Sequence, residues 1–233
     1  MVSVLLVGPV NTSAATRGFG PTAYSSFGDS PFSDTTFSYF ELETFEDGLL
    51  DSSGVSSSGP GIVIGPSNQT DSVDADDGSV DGSGTGGHSF FTAQQTRILQ
   101  FSFDANALGS LPTHAGLVWT DVGFVDAGGT LGIADMTFSA FDAADDLILA
   151  VSGSALGDGS TFGMTAEDRF FGIQHDAGIS RIALAIATSD DFEIDHLQYG
   201  FAAPVPLPGA LVLLLSGLAL IGMREFRTDV SRR

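Results

Sequence analysis

Short apolar runs recur along the middle of this chain, separated by Gly, Asp and Asn. FSYFELETFEDG (37–48) brings apolar and polar positions close to alternation and then meets a glycine turn. RILQFSFDA (97–105) sets Leu99, Phe101 and Phe103 on one side and Ile98, Gln100 and Ser102 on the other. Runs of the same kind follow in AGLVWTDVGF (115–124), ADMTFSAFDA (134–143), DLILAVSG (146–153), DRFFGIQ (168–174), SRIALAIAT (180–188) and DFEIDHLQYG (191–200). Their spacing of about ten to fifteen residues, with turn residues in the gaps, predicts an all-β chain folded as an antiparallel β-sandwich. The strand order suggests a jelly roll. SRIALAIAT is the most regular run: Ile182, Leu184 and Ile186 share one face, and Arg181, Ala183 and Ala185 the other. The first face is expected to meet the core. The small-residue face is expected to lie against a loop or to form a shallow platform.

The intervening stretches read differently. Residues 16–36 are rich in Gly, Ser, Thr, Pro and Phe and are expected to form a loose lead-in, so the sandwich is placed at 37–200. Residues 51–87 are dominated by Ser, Gly and Asp, with one apolar island at Ile62-Val63-Ile64. The piece DSVDADDGSVDGSGTGG (71–87) is expected to be a solvated surface loop.

A different pattern closes the chain. No charged residue occurs between Phe201 and Met223, and Val205–Met223 is apolar all round. As a helix these residues span about 28 Å, close to the roughly 30 Å hydrocarbon thickness of a bilayer. A buried helix of a water-soluble domain would show an amphipathic period instead. The segment therefore predicts a transmembrane helix over 205–223, inside a tail of 201–233. At the other end MVSVLLVGPV is apolar, and Ser13-Ala14-Ala15 offers a small-residue cleavage site. No positive residue precedes the run, so 1–15 reads as the back half of a signal peptide, or else as a disordered terminus.

Charge sharpens the compartment. The chain of 233 residues carries 29 acids and 8 basic residues, for a net charge of -21. All eight basic residues are Arg. Up to residue 204 there are 27 acids and four Arg; beyond it Arg224, Arg227, Arg232 and Arg233 face only Glu225 and Asp229. The sign reverses at the apolar segment, as expected for a cytoplasmic flank. Nucleic acid is excluded as a partner, because binding phosphates needs clustered positive charge. The 30 Gly and 19 Phe favour short strands and many turns over helices. Cysteine is absent, which removes disulfides and thiolate chemistry.

Val205-Pro206-Leu207-Pro208, the apolar run and the Arg-rich end together resemble the PEP-CTERM class of sorting signals, in its VPLPA variant. Gly209 stands where that variant has Ala, and Glu225, Phe226 and Asp229 dilute the basic end. The resemblance implies export, transient anchoring in the inner membrane and processing by an exosortase-type enzyme near the Pro motif. It also implies a producer of exopolysaccharide.

FEDGLLDSSGV near the start of the domain and DDFEIDHLQYG at its end resemble the first and last strands of lectin-like or galactose-binding-like jelly rolls. TAEDRFFGIQHDAGISRIALA (165–185) resembles a hairpin of exported PEP-CTERM proteins. The first resemblance implies one structural calcium. It would lie between Glu46 on the first strand and Asp195 on the last, with Asp47 as a third ligand. Calcium takes six to eight oxygen ligands, and two carboxylates far apart in sequence would clip the sandwich shut. The alternative is that these are solvated strand-edge residues.

Enzyme chemistry finds no footing. His88, His114, His175 and His196 are scattered, and neither an HExxH nor a GxSxG motif occurs. The Asp-rich loop lacks EF-hand spacing. Glu167-Asp168-Arg169 reads as a hairpin ion pair ahead of Phe170-Phe171. The chain therefore reads as an exported, non-catalytic surface or matrix protein associated with exopolysaccharide. A glycan-binding module stands as the alternative, with Trp119, Tyr199 and Tyr39 as stacking candidates, and a hydrolase with an unrecognised carboxylate pair as the third reading.

Overall fold

A computed structural model describes residues 14–59, 61–67, 70–75, 86–92, 96–122, 134–156, 168–187 and 192–204. The chain divides into two units, Met1–Ala202 and Ala203–Arg233. The first is an antiparallel β-sandwich.

The described strands of that unit are β1 (Thr16–Ala23), β2 (Phe37–Glu43), β3 (Val55–Ser58), β4 (Ile62–Ile64), β5 (Ser89–Phe91), β6 (Ile98–Phe103), β7 (His114–Val122), β8 (Ala134–Phe141), β9 (Leu147–Leu156), β10 (Arg169–His175), β11 (Arg181–Ile186) and β12 (Phe192–Ala202). One sheet runs β1-β10-β7-β12-β5-β4, with β2 also paired to β12. The other runs β3-β6-β11-β8-β9. A single helical turn, α1 (Ala105–Leu108), follows β6. Asp104 caps it by accepting the Asn106 N–H at 2.8 Å, and Gly109 ends it at φ 86°.

Alternation decides what enters the space between the sheets. Ala115, Leu117 and Trp119 of β7 point inward, as do Leu99, Phe101 and Phe103 of β6, Met136, Phe138 and Ala140 of β8, and Ile182, Leu184 and Ile186 of β11. The eight runs expected as strands all contain one, and the regular face of SRIALAIAT is the buried one.

Two expectations fail. The lead-in over 16–36 is not loose. Its first part is β1, which takes the edge beside β10 with Thr16 opposite His175 and Ala23 opposite Arg169. Gly18, Gly20 and Pro21 disguise this strand in the sequence, yet an edge tolerates proline. Gly18 is needed where it stands, because a Cβ there would lie 2.7 Å from both Leu149 and Val151 of β9. Its second part covers the outer face of the larger sheet. Tyr24 and Phe32 are buried there with Val118 and Phe170, the residues that alternate away from the inner core. Gly116 and Gly172, opposite each other on β7 and β10, make the seat for the Phe170 ring; a Cβ on either would meet it at 2.6–2.7 Å.

The Ser-, Gly- and Asp-dominated stretch after residue 51 holds strands β3 and β4, and the surface loop expected over 71–87 begins with buried residues, Asp74 remaining exposed. Asp71, Ser72 and Val73 are buried, and Val73–Ala75 forms a tight helical turn. Arg169, expected to pair with a neighbouring acid, donates from its guanidinium to the Asp168 carbonyl oxygen at 2.9 Å. The signal segment over 1–13, Glu167, the sorting motif, the span at 205–223 and the basic tail lie outside the described residues. Among the described residues no helix is long and apolar enough to cross a membrane.

Candidate functional site

The acids expected to matter converge at the start of β12. Ile194 and Leu197 both point into the core, with two residues between them where strict alternation allows one or three. A register shift against β7 absorbs the difference, and His196 takes a left-handed φ of 43°. The bulge sets Asp195 and His196 side by side against the 70–75 loop. Asp195 accepts three hydrogen bonds: the Val73 N–H at 2.9 Å, the Ser72 hydroxyl at 3.1 Å and its neighbour's N–H at 2.6 Å. Two residues earlier, Glu193 is also buried and accepts the Asp71 N–H at 2.9 Å. Burial pushes its carboxyl up to about 8 and that of Asp195 up to about 7.

A second chain of contacts runs away from His196. The Phe32 N–H donates to Ser30 Oγ at 3.1 Å, Ser30 Oγ donates to Gln198 Oε1 at 2.7 Å, and Gln198 Nε2 donates to the Tyr24 hydroxyl at 3.0 Å. That hydroxyl meets His196 Nδ1 at 2.8 Å, and His196 Nε2 meets Asp74 Oδ2 at 3.2 Å. Burial pulls the His196 pKa down, but the hydrogen bond to Asp74 and the charges of Asp195, Asp74 and Glu46 outweigh it and leave it raised. Five polar side chains thus stitch the 24–36 cover and the 70–75 loop to β12.

Of the expected calcium ligands, Glu46 and Asp195 are brought together, both touching the Ser72 hydroxyl. Asp47 is not; it turns back to accept the Leu49 N–H at 2.9 Å. Glu46 also takes the His88 N–H at 2.6 Å. Among the described residues, Asp74, Asp195 and His196 bring ligand atoms within 4.8 Å of one another. One imidazole and two carboxylates supply only part of the six to eight, mostly oxygen, ligands that calcium takes. The Val73 and His196 N–H groups and the Ser72 hydroxyl all donate to Asp195, which lies beside the His196 ring.

The aromatic candidates fare no better as a stacking platform. Trp119 and Tyr199 are fully buried in the core, and the Tyr199 hydroxyl is tied to the Ser53 carbonyl. Tyr39 is half-buried and donates to Glu41 at 2.9 Å. His88 lies against Glu46, His114 packs edge-on to Phe32 and Phe37, and His175 meets the Thr16 hydroxyl at 2.8 Å. The sequence reading missed Tyr24, Glu43, Asp74, Glu193 and His196. The available signal was FEIDHLQY itself, where acids interrupt an otherwise apolar strand. Glu43 accepts the Phe45 N–H at 2.9 Å and the Ser52 N–H at 3.2 Å, closing the 44–52 loop.

An open groove among the described residues lies elsewhere. About 460 Å³ of space separates β3 from β4 at one side of the sandwich, lined by Leu49, Leu50, Val55, Ile62, Val63 and Phe90 with Ser56 and Ser57. Neither an acid nor a histidine lines it.

No family model matches the chain, and no curated protein matches it. Among solved structures, the K1 cleaved adhesin domain of Lys-gingipain from Porphyromonas gingivalis W83 is similar at 12% identity and a TM-score of 0.40, over 71% of this chain and 99% of that one. The CBM22-1–GH10 modules of Clostridium thermocellum xylanase 10B, complexed with xylohexaose, match at 10% identity and a TM-score of 0.39. That match covers 71% of this chain and 29% of that chain. The family 32 carbohydrate-binding module of C. perfringens NanJ, complexed with galactose, matches at 11% identity and a TM-score of 0.31, over 68% and 98%. Similarities of this size attach no ligand to any residue of the acidic cluster.

Proposed function

We propose that this chain is a non-catalytic, glycan-binding β-sandwich that is exported and held at the cell surface or in its matrix. The observation that carries the reading is the burial of the two acids whose pKa values are raised, Glu193 and Asp195. Glycoside hydrolysis needs two carboxylates flanking a bond that the substrate brings into an open cleft. Here Glu193 and Asp195 have the raised pKa values of a general acid but are closed off under the 70–75 loop, and the open groove between β3 and β4 is uncharged. Their hydrogen bonds make them loop anchors. The glycan as ligand class follows the lectin-like resemblance of the first and last strands, and the compared modules are described with sugars of that class.

Affinity electrophoresis of the full chain through gels of soluble neutral polysaccharides is expected to show retardation by at least one of them. Incubation with the same polysaccharides is expected to release no reducing ends. Release of reducing ends, or no retardation by any, overturns the reading.

The tail supplies the address. Val205-Pro206-Leu207-Pro208, the apolar run and Arg224, Arg227, Arg232 and Arg233 support sorting by an exosortase-type enzyme through transient anchoring in the inner membrane. Deleting 205–233 is expected to move the protein from the membrane and surface fractions into the periplasm or medium. An unchanged distribution in cell fractionation refutes this part.

A further inference from the structure

We infer that the outer face of the β3-β6-β11-β8-β9 sheet is the glycan-binding surface, and that its ligand is an uncharged polysaccharide. The inference rests on the glycan-binding reading above and adds where, and which class.

The register assembles this face from residues that alternate away from the core. One row across the strands is Ser56, Ser102, Arg181, Phe141 and Leu147; the next is Ser58, Gln100, Ala183, Ser139 and Ala150; a third is Ile98, Ala185, Thr137 and Ser152. Five strands at about 4.8 Å spacing give a lane about 19 Å across. Short side chains leave most of it flat. At one border stands a fixed polar group: the Arg181 guanidinium lies over the Phe141 ring at 3.7 Å, donates to Gln100 Oε1 at 3.1 Å and pairs with Asp145. An amide, a guanidinium and a carboxylate held in place beside a ring are the chemistry that meets sugar hydroxyls and C–H faces together. Ile98 and Leu147, more than half exposed, add apolar surface at opposite corners.

Charge selects the occupant. The five strands of this sheet carry one acid, Asp135, and one basic residue, Arg181. The strands of the other sheet carry five acids, Glu41, Glu43, Asp121, Glu193 and Asp195, of which all but Glu41 are buried, and two basic residues, Arg17 and Arg169. On a chain with a net charge of -21, a near-neutral face densely set with hydroxyls complements a neutral polymer. A polyanion is repelled by the rest of the molecule.

The test uses the full chain with xyloglucan, arabinoxylan and galactomannan, and with alginate as a polyanionic control. Gln100→Ala and Ser139→Glu place their changes on the lane, and Glu41→Gln on the other sheet serves as the control. The lane variants are expected to weaken neutral-glycan binding by about tenfold or more with an unchanged melting temperature, and the control to bind like wild type. Wild-type affinity in the lane variants overturns the inference and leaves the glycan-binding reading standing. No binding to any neutral glycan by wild type defeats both. Equal affinity for alginate overturns the charge argument. Sedimentation showing dimers that dissociate in the Ser139→Glu variant assigns the face to a second copy instead and also overturns the inference.

Discussion

Replacing Phe32 by Ala is expected to cost the sandwich about 3–5 kcal/mol, the usual penalty for emptying a buried aromatic site. Phe32 belongs to the segment that the sequence presents as a loose approach to the domain. In the structure it is 1% exposed and sits edge-on to Phe19, His114 and Phe170, with centroids 5.2–5.5 Å away. Without its ring the outward side of β7 and β10 loses its cover, and Val118 and Phe170 face solvent or a void. Removing all of residues 14–36 goes further. It strips β1 from β10, takes away Tyr24 and Phe32 together, and leaves Gln198 and His196 without Tyr24. Domains of this size are stable by about 5–15 kcal/mol, so a chain beginning at Phe37 is expected to be unfolded at 25 °C. Urea denaturation followed by tryptophan fluorescence reads both variants, since Trp119 is the single Trp and fully buried. A chain starting at Phe37 with a wild-type midpoint overturns the claim that the cover is part of the fold.

What made most of the sandwich legible was its period. β6, β8 and β11 alternate apolar and small or polar residues, while β7 and β10 announce themselves as apolar runs bounded by turns, apolar on both faces. β1 stayed hidden because its job is at an edge, where glycines admit the side chains of β9 and a proline does no harm to the ladder. β5, with only Ser89, Phe90 and Phe91, is too short to have a period at all. The 24–36 cover has no regular pattern to find, since it is irregular backbone held by rings.

The site was legible only by halves. Glu46 and Asp195 do meet, as the strand resemblance implied, but what surrounds them depends on partners that the sequence scatters. Ser72 comes from the Asp-rich stretch, His196 from a bulge, and Tyr24 from beyond the expected domain boundary. A bulge of one residue cannot be seen in FEIDHLQYG, where reading strict alternation places His196 on the core side.

The sandwich is expected to lose stability as pH rises from about 5 to about 9. Glu193 sets the direction. Burial raises its carboxyl from the ordinary 4.5 to about 8, so the folded protein holds that proton more tightly than the unfolded chain does. Below about pH 4.5 both states are protonated and folding carries no penalty. Above about 8 both are ionised, and folding bears the cost of a buried carboxylate, about 5 kcal/mol for a displacement of this size. Asp195, raised to about 7 by burial, acts in the same sense. So does His196, whose raised pKa adds stability that is complete below its unfolded value and lost as pH climbs through the folded one. His114 opposes them, because burial lowers its pKa and its contribution grows as pH rises toward the ordinary 6.5. Above about pH 7 that opposition is spent, and the decline belongs to the cluster on β12. Glu193→Gln keeps an oxygen for the Asp71 N–H and cannot ionise. It is expected to be more stable than wild type at pH 9, by about 2–4 kcal/mol, and close to wild type at pH 5. Urea midpoints across that range measure both curves. A wild-type midpoint that holds level from pH 7 to 9, or a Glu193→Gln curve that falls in parallel with it, would show that Glu193 is not ionising inside the folded protein.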